Sequence, residues 1–542
     1  MKNISKIILV LAFPIVLLSS CDSLLDVKSD RHIFENEHGM NSANDTLYSM
    51  FGVLSQLQRL SDSYVFLGEL RGDLMSVSED ADRFLKEINS FNISPDNPFA
   101  NNIKVYYSII NNCNYIIHNI DTAYVKGGVR VMNRTYAAAK AIRAWTYMQL
   151  MLNFGEVTYY DKPILTLDDA LATYPVYTSM NQLAPVLIED LRRWKDIARP
   201  NFGTLRSFDT RSSFFPIRFL LGDLYLWTGQ YELAANEYRD LMFYNRVLMT
   251  NTFRSTLEVI NNTFTGNVLG TWVNLFRFGS PEQLTNIVAT NQYERIYTVD
   301  SLAEIRHIIP SEVAVNNWRS QYYIHALGVD TLADMRLYGS ISSTLRLNAN
   351  MEIEDLGIFS IDKFRRLNDD SDLTKLIMVY RAATLYLRYA EAVNRLGKPN
   401  LAMAVLKNGL RAATINNDMI VPRAERDSIL PNYMNFSDER FNNNIGVRAR
   451  GCGNVHIDNT NFAIPANMLD RDSIMIFVEN LIINEMALET AFEGNRFHDL
   501  MRVAIRRNDN AFLADKVAQK HPASNRESIR SKLMDRQNWF LK

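Results

Sequence analysis

The chain has 542 residues, with 58 Lys and Arg against 60 Asp and Glu for a formal net charge of −2, and 47% of its residues are hydrophobic. At about 150 residues per domain that length allows three to four domains, and the composition excludes a disordered chain or a multi-span membrane protein. The balanced charge leaves no cationic surplus to neutralise nucleic-acid phosphates, while 22 Gly, 15 Pro and 3 Cys argue against a turn-rich barrel and against a disulfide framework.

Residues 1–20 read as an export signal. Lys2 and Lys6 precede an apolar run from Ile7 to Leu18, and the next residues are Ser19, Ser20 and Cys21. Such a run is too short to cross a bilayer core of about 30 Å but suits a signal-peptide centre. Small residues directly before a cysteine resemble the lipobox of bacterial lipoproteins. That resemblance implies lipidation of Cys21, with several acyl chains making a stable anchor where one would be marginal. The alternative is ordinary secretory cleavage with Cys21 as a bystander. Residues 21–39 then form the lipidated N-terminus and tether, and 40–542 form a single body that touches the membrane only through its anchor. Of the other cysteines, Cys113 lies in an apolar run and reads as a small buried hydrophobe, while Cys452 sits in a glycine-flanked loop.

The body reads as all-α dominated. Helical periodicity covers 40–60, where Leu47, Met50, Phe51 and Leu54 recur, and also 103–121. Asn133 is a candidate cap for a helix to about Asn153, stopped by Phe154-Gly155. A further helical pattern covers 180–197. Phe214 to Leu248 reads as two helices broken at Thr228-Gly229-Gln230. Leu221-Gly222-Asp223-Leu224-Tyr225, followed by Ala234, Ala235 and Tyr238, has the spacing of a tetratricopeptide unit. Leu385 to Ala413 repeats that logic around Gly397-Lys398-Pro399, but not at a 34-residue period. The expectation is a degenerate tetratricopeptide-like helical scaffold, with repeat helices at about 40–248 and 375–413. Long loop-rich insertions at about 250–370 and 415–470 interrupt it, and loops of that length usually carry function.

The last helix pair, 472–507, opens with Asp472 as a candidate cap. Its stretch from Glu479 through Glu485, Glu489, Phe492, Gly494, Asn495, Arg496, Phe497 and His498 to Arg502 closely resembles the signature of the SusD/RagB family. The terminal Asn538-Trp539-Phe540-Leu541, the lipobox, the Leu385–Gly397 segment and the Ala138–Gly155 segment resemble that family as well, in family order. The resemblance implies surface lipoproteins of the outer membrane on a tetratricopeptide-like scaffold. It also implies a partner, a SusC-type TonB-dependent transporter, and capture of oligosaccharides or, in some members, peptides. No catalysis, cofactor or nucleic acid is implied. An assembly lipoprotein that binds only protein partners is a third reading.

Glu485, Glu489 and Glu493 share one helical face at i, i+4 and i+8, and paired carboxylates suggest glycoside hydrolysis. Arg496, Arg502 and Arg506 nearby favour structural ion pairs instead. Signatures of zinc proteases, serine hydrolases and nucleotide loops are missing from the sequence. Cys452 with His456 lacks a second ligand pair for zinc, and Asn368-Asp369-Asp370-Ser371-Asp372 lacks the glycine and distal glutamate of a calcium loop.

Saccharide capture needs aromatic faces for ring C–H groups and polar side chains for hydroxyls. The insertion supplies Trp318, Arg319, Gln321, Tyr322 and Tyr323, with Trp272 as another platform. Tyr64, Phe66, Arg71, Asp73 and Asn101 lie in or beside a loop-rich stretch nearer the N-terminus. Trp145, Trp194 and Trp227 fall on repeat helices and read as core.

Overall fold

Tyr238 lies where a side chain on Gly222 would have to go: a Cβ built on Gly222 would come within 2.3 Å of its ring. This is the tetratricopeptide-like crossing of helices Ile217–Trp227 and Tyr231–Tyr244, separated by the turn at Gly229 with φ +78°. The Tyr238 hydroxyl donates to Asp223 Oδ1 at 2.6 Å, and the Tyr380 hydroxyl donates to Asp223 Oδ2 at 2.9 Å. The crossing is therefore pinned to the second repeat region, where Ala382–Arg395 and Pro399–Lys407 form the corresponding pair. A computed structural model describes residues 43–173, 176–205, 208–253, 258–260, 263–265, 271–277, 279–290, 297–324, 330–347, 353–366, 374–426, 429–452 and 462–542. The signal segment, Cys21 and the tether lie outside these residues, as do His456 and the acidic run 368–372.

The expected helices are present at Ala43–Gln58, Ile103–Asn119, Asn133–Phe154 and Met180–Arg192. Their ends differ in instructive ways. Asn133 is the first helical residue, and no side chain caps that end. The cap at the C-terminal pair is Asp470, whose carboxylate accepts from Ser473 N, so helix Arg471–Glu489 starts before the expected Asp472. Ser179 and Gln182 close a capping box that defines the start of Met180–Arg192. Two helices beyond the signature, Asn510–Gln519 and Ala523–Leu533, complete the chain.

The described parts of the insertion at 250–370 carry strands and short helices. Strand Gln283–Thr290 pairs antiparallel with Thr374–Arg381, so the segment expected to open a helix at 375 is a strand that clamps the insertion at its base. Tyr322–Ile324 pairs with Asp330–Leu332, and Ile341–Leu347 with Ile353–Ile361. Met75–Val77 pairs with Ile308–Pro310 and ties the N-terminal region to the insertion. Every sheet among the described residues is such a two-stranded antiparallel ribbon. One continuous apolar core runs through the helices and takes in Trp145 and Trp227, with Trp194 packed at its edge. Cys113 and Cys452 are both buried thiols, and no disulfide joins them.

Candidate functional site

The residues around Glu485, Glu489 and Glu493 are sealed from solvent. Glu489 is 0% exposed; its Oε1 accepts from Arg381 Nη1 and Arg450 Nη1 at 2.8 Å each, and its Oε2 accepts from Arg336 Nη1 at 2.7 Å. Glu485 accepts from Arg336 and Arg448, and Glu493 from Arg381 and Lys363. Burial raises the Glu489 carboxyl, but Arg450, Arg381 and Arg336 outweigh burial and hold it well below the usual carboxylate range. The three glutamates are ion-paired struts, as the structural reading has it. The partners, however, are Arg336 and Lys363 from the first insertion, Arg381 from its clamp, and Arg448 and Arg450 from the second insertion, rather than Arg496, Arg502 and Arg506. Of those three, Arg496 pairs with Asp73 and Arg502 with Glu391 and Asp499.

The turn after that helix explains the rest of the signature. Gly494 has φ +86°, and a Cβ there would meet the Tyr64 ring at 2.5 Å. Glu69 receives the turn's backbone: its carboxylate accepts from Phe492 N at 3.1 Å, Gly494 N at 2.8 Å and Asn495 N at 3.1 Å. The Tyr64 hydroxyl bonds Asn495 Oδ1 at 3.3 Å. Arg496 is forked onto Asp73 by Nε at 2.6 Å and Nη2 at 2.8 Å. Helix Ser61–Glu69 is thus the receptor for the C-terminal turn, which corrects its placement in or beside a loop-rich stretch.

This burial redistributes the expected ligand groups. Tyr64, Phe66, Arg71 and Asp73 are buried. Trp318 is 0% exposed, donates from Nε1 to Leu488 O at 3.0 Å and packs against Phe492. Trp272 is buried edge-on to Phe276, with the Lys363 ammonium 5.8 Å from its ring. Tyr323 is buried, and its hydroxyl donates to Asp334 Oδ2 at 2.7 Å. None of these rings offers solvent a stacking face: Tyr64, Phe66, Trp272 and Trp318 belong to the main apolar core, and Tyr323 packs in a small cluster with Cys452. Arg319 is exposed over the Phe359 ring, and Gln321 and Tyr322 are half-buried beside it in sequence. Gln321 already accepts from Arg448 Nη1 at 3.1 Å and donates to Asn317 O at 2.9 Å.

Two of the expected residues do converge on open space. Arg71 and Asn101 line a cleft of about 420 Å³, together with Phe91, Ile93, Phe154, Lys532, Asn538 and Phe540. The loop from Phe91 to Asn101 forms one wall, held by Asn101 Nδ2 donating to Pro95 O at 2.6 Å and by Asn97 capping Phe99 N at 3.1 Å. The C-terminal segment forms the other wall. Leu541 N donates to Asn153 O at 2.8 Å, and Lys532 Nζ donates to Asn92 Oδ1 at 2.6 Å across the two walls. Phe540 lies over Gly155, where a Cβ would come within 3.1 Å of its ring. Arg71 is the floor: Nε donates to Leu67 O at 2.7 Å, Nη1 to Trp539 O at 3.0 Å, and its guanidinium lies 4.4 Å from the Phe497 ring. Burial pushes it down to about 9. The cleft combines three phenyl rings with amides and cations at its rim, a lining suited to a small polar ligand with apolar faces. Sequence reasoning missed Phe540 and Lys532 as site residues, although the terminal Asn538–Leu541 was already singled out as a motif.

Among the described residues no helix is long and apolar enough to cross a membrane, and no group of three His, Cys, Asp or Glu could hold a metal.

No family model matches the chain. Two SusD-like proteins of Formosa agariphila are each 23% identical to it, one over 92% of this chain and 91% of the relative, the other over 80% and 78%. Over most of its length the chain is thus similar to SusD-like proteins. Its fold agrees. A SusD superfamily protein from Bacteroides vulgatus matches with TM-score 0.60 at 13% identity, covering 92% of this chain and 96% of the other. A SusD-like carbohydrate binding protein from Bacteroides fragilis matches with TM-score 0.57 at 15% identity, covering 88% and 89%. In this SusD-like chain the signature builds the fold, and its carboxylates are occupied by that task.

Proposed function

We propose that this SusD-like protein is a nutrient-capture lipoprotein of the outer membrane, anchored through Cys21, that binds oligosaccharides and hands them to a SusC-type TonB-dependent transporter. The observation that carries the ligand half is the cleft between the 91–101 loop and the C-terminal segment, where Phe91, Phe154 and Phe540 stand under a rim of Ser94, Asn101, Asn538 and Lys532. Phenyl faces take the C–H side of a sugar ring while amides and the ammonium take its hydroxyls. A related fold in Bacteroides fragilis is a SusD-like carbohydrate binding protein, which supports the same ligand class here. The reading assigns no catalytic step to the chain.

The test is isothermal titration of the full chain, purified in detergent, against panels of neutral oligosaccharides and of short peptides. A saccharide whose affinity falls about tenfold in Phe540→Ala supports the assignment, a loss of about 1.4 kcal/mol. Binding to peptides alone replaces the ligand class and leaves the transporter partnership standing. Saccharide binding indifferent to Phe540→Ala moves the site elsewhere.

A further inference from the structure

A second open cleft, of about 450 Å³, lies where the start of helix Asn133–Phe154, the segment following Met180–Arg192 and the helix pair Ile217–Trp227 and Tyr231–Tyr244 meet. Four cations line it: Arg134, Lys195, Arg199 and Arg218. Two of these are already neutralised. Arg218 donates to Glu237 at 2.6 Å and Asp240 at 3.1 Å and also pairs with Asp196, while Lys195 bonds Glu237 at 2.6 Å. The other two are not. Arg134 is exposed and makes no ion pair among the described residues. Arg199 uses Nη1 alone, on the carbonyls of Phe214 at 3.1 Å and of Leu284, and pairs with no carboxylate among the described residues. Burial, and after it the Arg211 charge, pushes Arg199 down to about 10, with the Asp209 charge offsetting them only in part.

An aromatic face stands beside these cations. Tyr244 is 63% exposed although it lies in the cleft wall, with the Arg218 guanidinium 5.1 Å from its ring centre. The volume falls within the range of small-ligand sites, and uncompensated guanidiniums favour planar anions through forked hydrogen bonds.

We propose that this cleft is a second ligand site, for the carboxylate or sulfate group of an acidic saccharide, with Arg134 and Arg199 on the anion and Tyr244 under the sugar ring. The assignment to a saccharide rests on the nutrient-capture reading; the anion preference rests on the two uncompensated arginines. The site is separate from the Phe540 cleft and shares no lining residue with it. It gives the protein a means of telling charged chains from neutral ones.

The experiment titrates the full chain in detergent with a uronic-acid trisaccharide, its carboxyl-reduced neutral counterpart, inorganic sulfate and an acidic tripeptide. The uronate is expected to bind about tenfold more tightly than its reduced form and more weakly as salt is raised. Arg134→Gln and Tyr244→Ala are each expected to weaken uronate binding about three- to tenfold. Neither touches the Phe540 cleft, so neutral-sugar binding lost in Phe540→Ala is expected to persist in both. Arg199→Gln serves as a third variant, with a thermal melt because its side chain also holds two carbonyls. Equal binding of uronate and reduced sugar overturns the proposal. So does uronate binding that Arg134→Gln and Tyr244→Ala leave within about twofold, or that is lost only in Phe540→Ala. Absence of uronate binding at about 5 mM overturns it as well. Sulfate or the tripeptide binding as tightly as the uronate removes the saccharide assignment. All of these outcomes leave the neutral-saccharide test of the other cleft untouched.

Discussion

Glu489→Gln separates a carboxylate that braces the fold from one that acts on a ligand. The native side chain receives three guanidinium groups at 2.7–2.8 Å in a pocket closed to water. An amide of the same shape keeps the two acceptances at one oxygen, from Arg381 and Arg450, and turns its NH2 group toward Arg336 Nη1. One charge-assisted bond becomes a contact between two donors, and three buried cations lose a shared counter-charge. Each arginine keeps another carboxylate: Asp334 and Glu485 for Arg336, Glu493 for Arg381, Glu282 for Arg450. Breaking a buried pair costs about 3–5 kcal/mol when it strands a charge, and because each arginine keeps a carboxylate the loss here falls at the low end of that range, about 3 kcal/mol and no more than 5. With an unfolding entropy of about 2.1 cal/mol/K per residue over roughly 500 residues, that lowers Tm by about 3–5 °C. Differential scanning calorimetry of the variant beside an exposed control, Glu232→Gln, measures it. The control should stay within about 0.5 kcal/mol of the parent. A Tm within about 1 °C of the parent, accompanied by lost saccharide binding, would refute the structural account and return Glu489 to the ligand.

Gly494→Ala places a methyl group 2.5 Å from the Tyr64 ring at φ +86° and should cost about 2–4 kcal/mol; in a Tyr64→Ala background only the backbone part of that loss should remain, read from melts of the single and double variants. Trp318→Phe removes the bond to Leu488 O and leaves a small void, so stability should fall by about 1–3 kcal/mol while saccharide affinity stays within about twofold; a large affinity loss with an unchanged melt would restore Trp318 as a binding platform. Burial, and after it the Lys520 charge, holds His521 down to about 3. Its folded-state pKa lies below the unfolded value of about 6.5, so its contribution is present above that pH and is lost progressively as pH falls toward 3. Between pH 6.5 and 5 the parent should lose about 1–2 kcal/mol relative to His521→Gln in denaturant titrations, and parallel pH profiles would show that the ring is not buried neutral.

What could be read along the chain follows from what local pattern encodes. Gly222 with Tyr238 is a short-range pairing, a small residue and a ring on consecutive helices, so its spacing alone placed the crossing. Helix Ser61–Glu69 carries no such trace: all nine of its residues are buried, and a segment enclosed on every side has no polar face whose period would announce a helix. Strand Thr374–Arg381 fails for a related reason. Its central Leu376 to Tyr380 is a short apolar run flanked by charges, and such runs read equally as strand or buried helix. Only the pairing with Gln283–Thr290 decides between them.

The candidate site was harder to see because aromatic content marks where a chain can bury surface as readily as where it can bind. Trp318 and Tyr323 answered to that chemistry by filling the core, each with its polar atom satisfied inside. The glutamates of the signature show the same ambiguity. Their helical spacing correctly put them on one face, but their partners lie 108–153 residues away for Arg381 and Arg336, beyond any local pattern. The Phe540 cleft is assembled from a loop near residue 95 and the last residues of the chain, brought together by the Arg71 floor and the Lys532 bridge. A motif that is strong because it builds the fold thus identifies the scaffold and says little about the ligand. The groups proposed here for ligand recognition, such as Phe540, Asn101, Arg134 and Tyr244, lie outside that signature helix pair, at the two open clefts.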